Sequence, residues 1–498
     1  MAKVLLIHPS KWGRGITAIW IPAHAALLRA HGHEVRLFDA TFYSDWTVRE
    51  VSYNTRNQQY RPTGYEAQVR YDETDVREAL QAELDAFQPD LVFWSALSSH
   101  IHGEGEYVNV QYGHQLLEGL QTSAKRITGG LQVTAAPGEA YSRFPAVDWF
   151  IAGESELALT AVADSLDASS LDPACVAGLI WKDAAGEVVV NPRQDLIHDL
   201  DVIPPYDYSL FSEQALLRPY NGELLKGVDY ELSRGCIYTC AYCVETVIQG
   251  YYGFSERTPR GALVRAKSYL RHKSAARVLE EWTQLHRDLG VTLIRCQDTN
   301  FLTIDRATLE ELATLLEAAK LPIQLYIETR PEGINAKTCA LLKRLQVDGV
   351  GMGVELSTQG FREDQLNRFA DQDKIVRAFE LLRENGIRRT AYNIIGLPDQ
   401  EEASILETVA FNHRLDPDNM TVAFYSPYLG TQQQEKSVEG DYFEDYEEDV
   451  DGQLRSLSRH GVMTRELLEF YKANFVRLVR EGLDGLDALK AAANLEPA

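Results

Sequence analysis

The chain lacks any run of about 18 apolar residues, so no membrane-spanning helix is expected. It also lacks the apolar stretch and small-residue cleavage site of a secretion signal. Residues 1–8, MAKVLLIH, pass directly into strand-like alternation, and a cytoplasmic protein is expected. Cysteine is scarce: six occur in 498 residues, three of them within eight residues and three scattered. That pattern excludes a disulfide framework and fits a reducing compartment. The scattered Cys175, Cys296 and Cys339 read as small buried hydrophobes. Positive charge is short, with 49 Lys and Arg against 73 Asp and Glu, a net charge of −24. Such a surface repels phosphate backbones, so no nucleic-acid partner is expected. The acidic run 435–451 reads as a solvated loop. What remains is ordinary: 45% hydrophobic and 24% charged residues, enough for a large core.

Strand and helix patterns alternate along the first part. Strands are predicted at 3–8, 34–38, 91–95, 125–128 and 149–152, with helices at 17–30, 75–87 and 114–123. This rhythm implies a parallel, Rossmann-like sheet that binds ligands at its strand carboxyl ends. Residues 40–73 interrupt it with a long aromatic segment carrying Tyr43, Trp46, Tyr53, Tyr60, Tyr65 and Tyr71, read as an ordered lid. A connector follows over 166–225, with a hairpin around Ala185 and Gly186. A second array begins near residue 226. Six strands, at 229–233, 292–296, 324–327, 349–354, 389–395 and 421–426, alternate with five helices. A partial (β/α)6 barrel over 226–431 is expected, with chemistry at the strand carboxyl ends. Residues 432–498 read as an acidic loop and then helix. The expected organisation is thus an α/β chain: residues 1–165, a connector 166–225, a barrel 226–431 and a helical C-terminal region 432–498.

The second array opens on SRGCIYTCAYCVE, which places Cys236, Cys240 and Cys243 in a C-x3-C-x2-C spacing just after a strand. Thiolates are the usual ligands of iron–sulfur clusters, and three of them leave one iron open. A structural zinc site is the alternative, but it wants a further ligand pair at finger spacing, and none follows.

This spacing, with the aromatic Tyr242 before the last cysteine, resembles the signature of radical S-adenosylmethionine (SAM) enzymes over roughly 228–431. The resemblance implies a [4Fe–4S] cluster on the three cysteines. Its open iron chelates SAM, and one electron, from a donor such as flavodoxin or ferredoxin, cleaves SAM to methionine and a 5′-deoxyadenosyl radical. It further implies SAM contacts at Tyr242, at Asp298 and Asn300 after the second strand, at Glu328 and Arg330 after the third, and at Glu355 after the fourth. Arg368 would pair with the methionine carboxylate. Asn393 and Gly396, in YNIIGLPDQEE, would lie on the adenine side. Asp298–Asn300 departs from the family's Gly-Gly-Glu element. The bland alternative for each charged residue is a barrel-rim ion pair.

Three pieces of the first part resemble cobalamin-binding domains: Ser95-Ala96-Leu97, Gly129-Gly130, and Gly153-Glu154-Ser155-Glu156. Small residues at strand ends let a nucleotide tail run close to the backbone, although each glycine alone could serve an ordinary turn. The cobalt-ligating histidine of many such domains corresponds to Thr41, so the implied cobalamin is base-off, without a histidine ligand, its lower face covered by segment 40–73. His8, His100 and His102 fall near strand ends and read as solvated loop histidines. Arg257, Arg260, Arg265, Lys267, Arg271 and Lys273 read as a solvated helix face or an anion site, with Tyr251, Tyr252 and Phe254 beside them as pocket lining. The combined resemblance implies a cobalamin-dependent radical SAM methyltransferase acting on an unactivated carbon of a small molecule. The alternatives are rearrangement or cyclisation on the same scaffold, or a non-catalytic cobalamin- or zinc-binding protein.

Overall fold

A computed structural model of the protein describes residues 1–49, 61–97, 103–167, 172–440, 447–448, 454–455 and 463–495. Two seven-stranded sheets organise it. In the first, β1 (Lys3–His8), β2 (Glu34–Asp39), β3 (Leu91–Trp94), β4 (Lys125–Thr128) and β5 (Trp149–Ile151) run parallel in the order β2-β1-β3-β4-β5. Alternate β1 side chains serve two cores: Val4 and Leu6 pack on one face, Leu5 and Ile7 on the other. Helices α1 (Trp20–Ala30), α2 (Val76–Phe87), α3 (Gly103–Leu117), the short α4 (Leu131–Ala135) and α5 (Glu156–Asp167) connect the strands. The hairpin of the connector, β6 (Leu179–Lys182) and β7 (Val188–Val190), adds antiparallel to β5 and so extends this sheet.

The second sheet starts with β8 (Leu217–Tyr220), antiparallel to β9 (Glu223–Tyr230). Five strands follow β9 in chain order and parallel to it, making six: β10 (Leu293–Cys296), β11 (Gln324–Thr329), β12 (Val347–Glu355), β13 (Arg388–Ile395) and β14 (Asn419–Phe424). This is a curled half-barrel. The helices outside it are α6 (Glu245–Tyr251), α7 (Ala275–Leu289), α8 (Arg306–Ala319), α9 (Ala336–Arg344), α10 (Gln372–Glu384) and α11 (Glu402–Leu415), followed by α12 (Gln432–Glu439) and α13 (Arg465–Glu481). α7 shows why such helices form. Ser274 caps its first turn by accepting from the Arg277 N–H, Gly290 ends it in a left-handed turn, and Val278, Trp282 and Leu285 bury one stripe.

Several boundaries differ from the sequence reading, each for a local reason. α1 begins at Trp20, not residue 17, because the Thr17 N–H and hydroxyl both donate to Asp229 Oδ2, at 3.0 and 3.3 Å. β9 stops at Tyr230 because the Leu232 and Ser233 amides turn toward Asp298. Cys296 and Cys339 are buried, but Cys175 is exposed and its thiol donates to Asp172. The acidic run starts inside α12, and its residues 441–446 and 449–451 lie outside the described residues.

Candidate active site

The cysteine loop is held from several sides. Asp298 Oδ1 accepts from the Leu232 N–H, the Ser233 N–H and the Ser233 hydroxyl, at 3.0, 2.6 and 2.6 Å. Ser233–Arg234 then pairs antiparallel with Arg271–His272. Gly235 turns at φ +95°, where any Cβ would press on Tyr269. Glu245, at the start of α6, accepts from the Cys236 N–H at 3.2 Å and from the Tyr269 hydroxyl at 2.6 Å. Gln249 donates to the carbonyls of Cys236 and Tyr238.

The thiols sit in a desolvated, donor-rich place. The Tyr238 N–H donates to Cys236 Sγ at 3.4 Å, and Arg330 Nη1 to Cys240 Sγ at 3.7 Å. The Arg330 guanidinium also lies 3.7 Å from the centre of the Tyr238 ring. Burial pushes the Cys236 thiol up to about 12, and Cys243 is raised by burial and then by Cys240. Metal-free, Cys236 and Cys243 are therefore protonated, and metal binding must displace those protons. Among the described residues, no three His, Cys, Asp or Glu side chains could hold one metal ion between them. Cluster thiolates need no such convergence, since each takes a different iron. N–H donors on sulfur, a guanidinium and exclusion of water suit an iron–sulfur cluster.

The third and fourth strand ends join this loop. The Tyr242 hydroxyl donates to Glu355 Oε1 at 2.8 Å, and Arg368 Nη1 lies 3.6 Å from the same oxygen. Arg368 Nη2 donates to the Gly353 carbonyl at 2.6 Å. Glu355 stands at φ +61°, beside a register shift between β12 and β13, a conformation that costs a non-glycine residue. Asn300 accepts from the Thr329 hydroxyl, and Glu328 from the Tyr392 hydroxyl at 3.0 Å. Asp298 Oδ2 and Arg368 Nε are among the buried polar atoms here without a hydrogen-bond partner among the described residues. An unmatched acceptor and an unmatched cationic donor complement the ammonium and carboxylate ends of an amino acid.

Burial pushes Asp298 up to about 7, against its bonds from Ser233. Its folded pKa lies above an unfolded value of about 3.9. The stability it contributes is thus fully present below about pH 4 and is lost as pH rises through 7. In the metal-free protein, the thermal midpoint should fall between pH 5 and 8, and Asp298→Asn should flatten that fall. An unchanged slope in the variant would reject this assignment.

In the first sheet, Ser95 follows β3 at φ +60° and its hydroxyl is buried without a partner among the described residues. A Cβ on Gly130 would stand 2.8 Å from that hydroxyl, and one on Gly129 2.9 Å from the Ile151 carbonyl. Leu97 packs with Tyr112, Leu131 and Val247 of α6. Gly153, at φ +81°, leaves room for Tyr252, whose hydroxyl a Cβ would meet at 2.5 Å. The Tyr252 hydroxyl accepts from the Glu154 N–H at 2.8 Å. Thr41 donates to Asp39 Oδ1 at 2.6 Å, and His8 Nδ1 bonds the same oxygen at 3.1 Å. The described part of segment 40–73 clamps the loop after β1: Tyr65 accepts from the Gly15 N–H, Tyr71 donates to the Gly13 carbonyl, and Trp46 to that of Pro9. Tyr53 and Tyr60 lie outside the described residues.

Other expectations change. Asn393 points away from this group: it exchanges amide bonds with Asn412 of α11 and donates to the Thr421 carbonyl. It alternates with Tyr392, which takes the inward face. Gly396, at φ +83°, donates its N–H to Gln400 and lies under Leu468 of α13. Glu154 is engaged by the protein itself, accepting from Arg271 Nη1 at 2.6 Å and the Ile197 N–H at 3.0 Å. Arg271 and Lys273 are accordingly buried ion-pair partners, Lys273 with Glu281 at 2.8 Å, and not a solvated face. Tyr252 and Phe254 share a small core with Tyr269. His8 is buried, not solvated, while His100 and His102 lie outside the described residues.

The sequence reading missed the inner wall of the half-barrel. Gly349, Gly351 and Gly353 lie two apart on β12, and a Cβ on Gly349 or Gly351 would strike Tyr326. Tyr326 and Tyr392 fill that groove, their hydroxyls 2.6 Å apart. The available signal was GVGMGVE: glycine at every second strand position leaves a bare face for aromatic neighbours.

Residues 230–411 match the Radical SAM superfamily, so the chain carries a radical SAM domain. An anaerobic magnesium-protoporphyrin IX monomethyl ester cyclase of Rubrivivax gelatinosus is 24% identical over 433 residues, 86% of this chain and 68% of that one. An uncharacterized methyltransferase of Pyrococcus horikoshii is 24% identical over 355 residues, 71% and 70% of the two chains. Among solved structures, the radical SAM methyltransferase TsrM of Kitasatospora setae, with cobalamin and a [4Fe–4S] cluster bound, superposes with TM-score 0.63 at 17% identity, over 89% of this chain and 79% of that one. The cobalamin-dependent radical enzyme OxsB gives TM-score 0.64 at 13% identity, over 92% and 64%.

Proposed function

We infer that this radical SAM enzyme is a cobalamin-dependent methyltransferase, moving a methyl group from SAM by way of cobalamin to an unactivated carbon of a small molecule. What carries this reading is the seam between the sheets. The glycine-lined strand ends of the first sheet pack onto α6, the helix that follows Cys243, through Leu97, Val247 and Tyr252. Two cofactors held at those two places would share one chamber. The relatives and structural neighbours include methyltransferases and cobalamin-bound enzymes, which supports the assignment.

Cys236, Cys240 and Cys243 would hold the [4Fe–4S] cluster. Ser95, Leu97, Gly129 and Gly130 would admit the cobalamin tail, while Gly153 makes room for Tyr252 beside it. The cobalamin would be base-off, since Thr41 turns its hydroxyl to Asp39. When bound, the cluster supplies the electron that cleaves SAM, and cobalamin supplies a methyl carrier. The chain's own residues bind and orient. Asp298 Oδ2 would accept from the SAM ammonium, and Arg368 Nε would donate to its carboxylate. Tyr242, Asn300, Glu328 and Glu355 would line the nucleoside side. Arg330 steadies Cys240 and screens its charge.

Protein made anaerobically with cobalamin should carry about four irons per chain. It should also carry cobalt, and should release S-adenosylhomocysteine in step with methylated product. Iron without cobalt would overturn the cobalamin half of this reading, and zinc without iron all of it. The cyclase relative, matched over 86% of this chain, favours a second reading, ring closure without methyl transfer. Product formed without S-adenosylhomocysteine would select it.

A further inference from the structure

The cysteine loop has a cover. Residues 256–264 form a tight hairpin: the Thr258 N–H donates to the Ala262 carbonyl at 2.7 Å, and the Val264 N–H to that of Glu256 at 3.0 Å. Gly261, at φ +64°, closes the turn against the Asn367 amide. The return limb bonds directly to the segment between Cys236 and Cys240. The Leu263 N–H donates to the Ile237 carbonyl at 2.8 Å, and the Thr239 N–H to that of Gly261 at 2.9 Å. This hairpin is therefore backbone-continuous with the loop that carries the thiols.

Its outer side is positive. Arg257, Arg260, Arg265 and Lys267 are exposed, and Glu256 is the one acid between residues 253 and 270. Among the described residues none of the four is ion-paired; Arg265 lies only over the Phe254 ring. Several exposed arginines elsewhere are matched, as in Arg287–Asp288, Arg306–Glu310 and Arg377–Glu380, whereas here four unpaired cations share one short stretch. Exposed Val264 adds an apolar spot between the cations. On a chain of net charge −24, such a patch focuses the field locally and steers acidic partners to one place.

We propose that this basic hairpin is the docking surface for an acidic one-electron carrier protein. The inference rests on the cluster assignment above. The docked donor would be oxidised by one electron and the cluster reduced by one, across the cysteine loop to which the hairpin is bonded.

The test uses the reconstituted full chain and a charge-reversed variant, Arg257→Glu with Arg260→Glu and Arg265→Glu. Cluster reduction is followed by absorbance and electron paramagnetic resonance, with reduced flavodoxin and, separately, with reduced methyl viologen, a small cation. With flavodoxin at low salt, the second-order rate should fall at least about tenfold, and the gap should narrow as salt screens the charges. The rate with methyl viologen and the iron content should not fall. An unchanged flavodoxin rate would overturn the proposal, as would an equal loss with both reductants. If the wild-type chain forms a cluster that methyl viologen reduces but flavodoxin does not, the partner class is wrong. If the wild-type chain forms no cluster, the cluster assignment fails instead.

Discussion

Replacing Arg234 with methionine is expected to cost about 3–5 kcal/mol of folding stability, as breaking a buried charge network does. Arg234 is 4% exposed and lies where the two sheets meet. Its guanidinium reaches Glu156 at 2.5 Å, Glu231 at 2.8 Å and Glu154 at 3.4 Å. Glu154 and Glu156 begin the segment after β5, and Glu231 directly follows the first barrel strand. Methionine would keep the packing volume and leave these carboxylates facing one another, with Arg271 as the remaining cation on Glu154. Burial raises the Glu156 pKa, but Arg234 and His24 outweigh it and hold the carboxyl below its ordinary value. The stability that Glu156 contributes is present above its unfolded pKa and is lost as pH falls through the folded one. Without Arg234 that dependence inverts, because protonation then relieves the repulsion. The deficit should therefore shrink as pH falls toward about 4. Urea unfolding followed by tryptophan fluorescence at several pH values measures it. A loss under about 1 kcal/mol, or one that ignores pH, would show that the network does not bind the sheets together.

The two sheets were legible in the sequence because each parallel strand and its crossover helix leave a local pattern. The period is two in the strand and near four in the helix, with a cap at the boundary, as at Ser274 and Gly290. What escaped was long-range pairing. Nothing local to Arg271 or Lys273 tells that Glu154 and Glu281 await them, so a buried ion pair reads as a basic run. Asn393 misled for a related reason. Its place in YNIIGLP fixes which strand end it reaches, but a single residue of register decides whether it faces the barrel or α11. The cysteine loop was easiest to read because its chemistry depends on spacing within eight residues. Its supports, Asp298, Glu245 and Gln249 of α6, and the 256–264 hairpin, come from three separate stretches and became visible only in the fold.

Alanine at Cys236, Cys240 or Cys243, one at a time, is expected to reduce cluster iron to a small remnant and 5′-deoxyadenosine formation to background. Alanine at Cys175, Cys296 or Cys339 should leave both near the wild-type level. The contrast is sharp because burial does not separate the two sets. Cys296 is as deeply buried as Cys236, and burial raises the pKa of both thiols. They differ in what surrounds the sulfur. Cys236 accepts from the Tyr238 N–H and Cys240 from Arg330, donors that stabilise a thiolate once metal has displaced the proton. Cys296 packs among aliphatic side chains of the core, and its acidic neighbour Asp298 disfavours a thiolate. Folding should survive the three loop substitutions, since the loop is held through backbone groups of Cys236, Tyr238 and Thr239 and not through the thiols. Iron and sulfide analysis beside circular dichroism separates loss of cluster from loss of fold. Full iron in the Cys240 variant would reject the triad as the ligand set. Loss of iron in the Cys296 variant with an intact fold would show that a fourth thiol takes part.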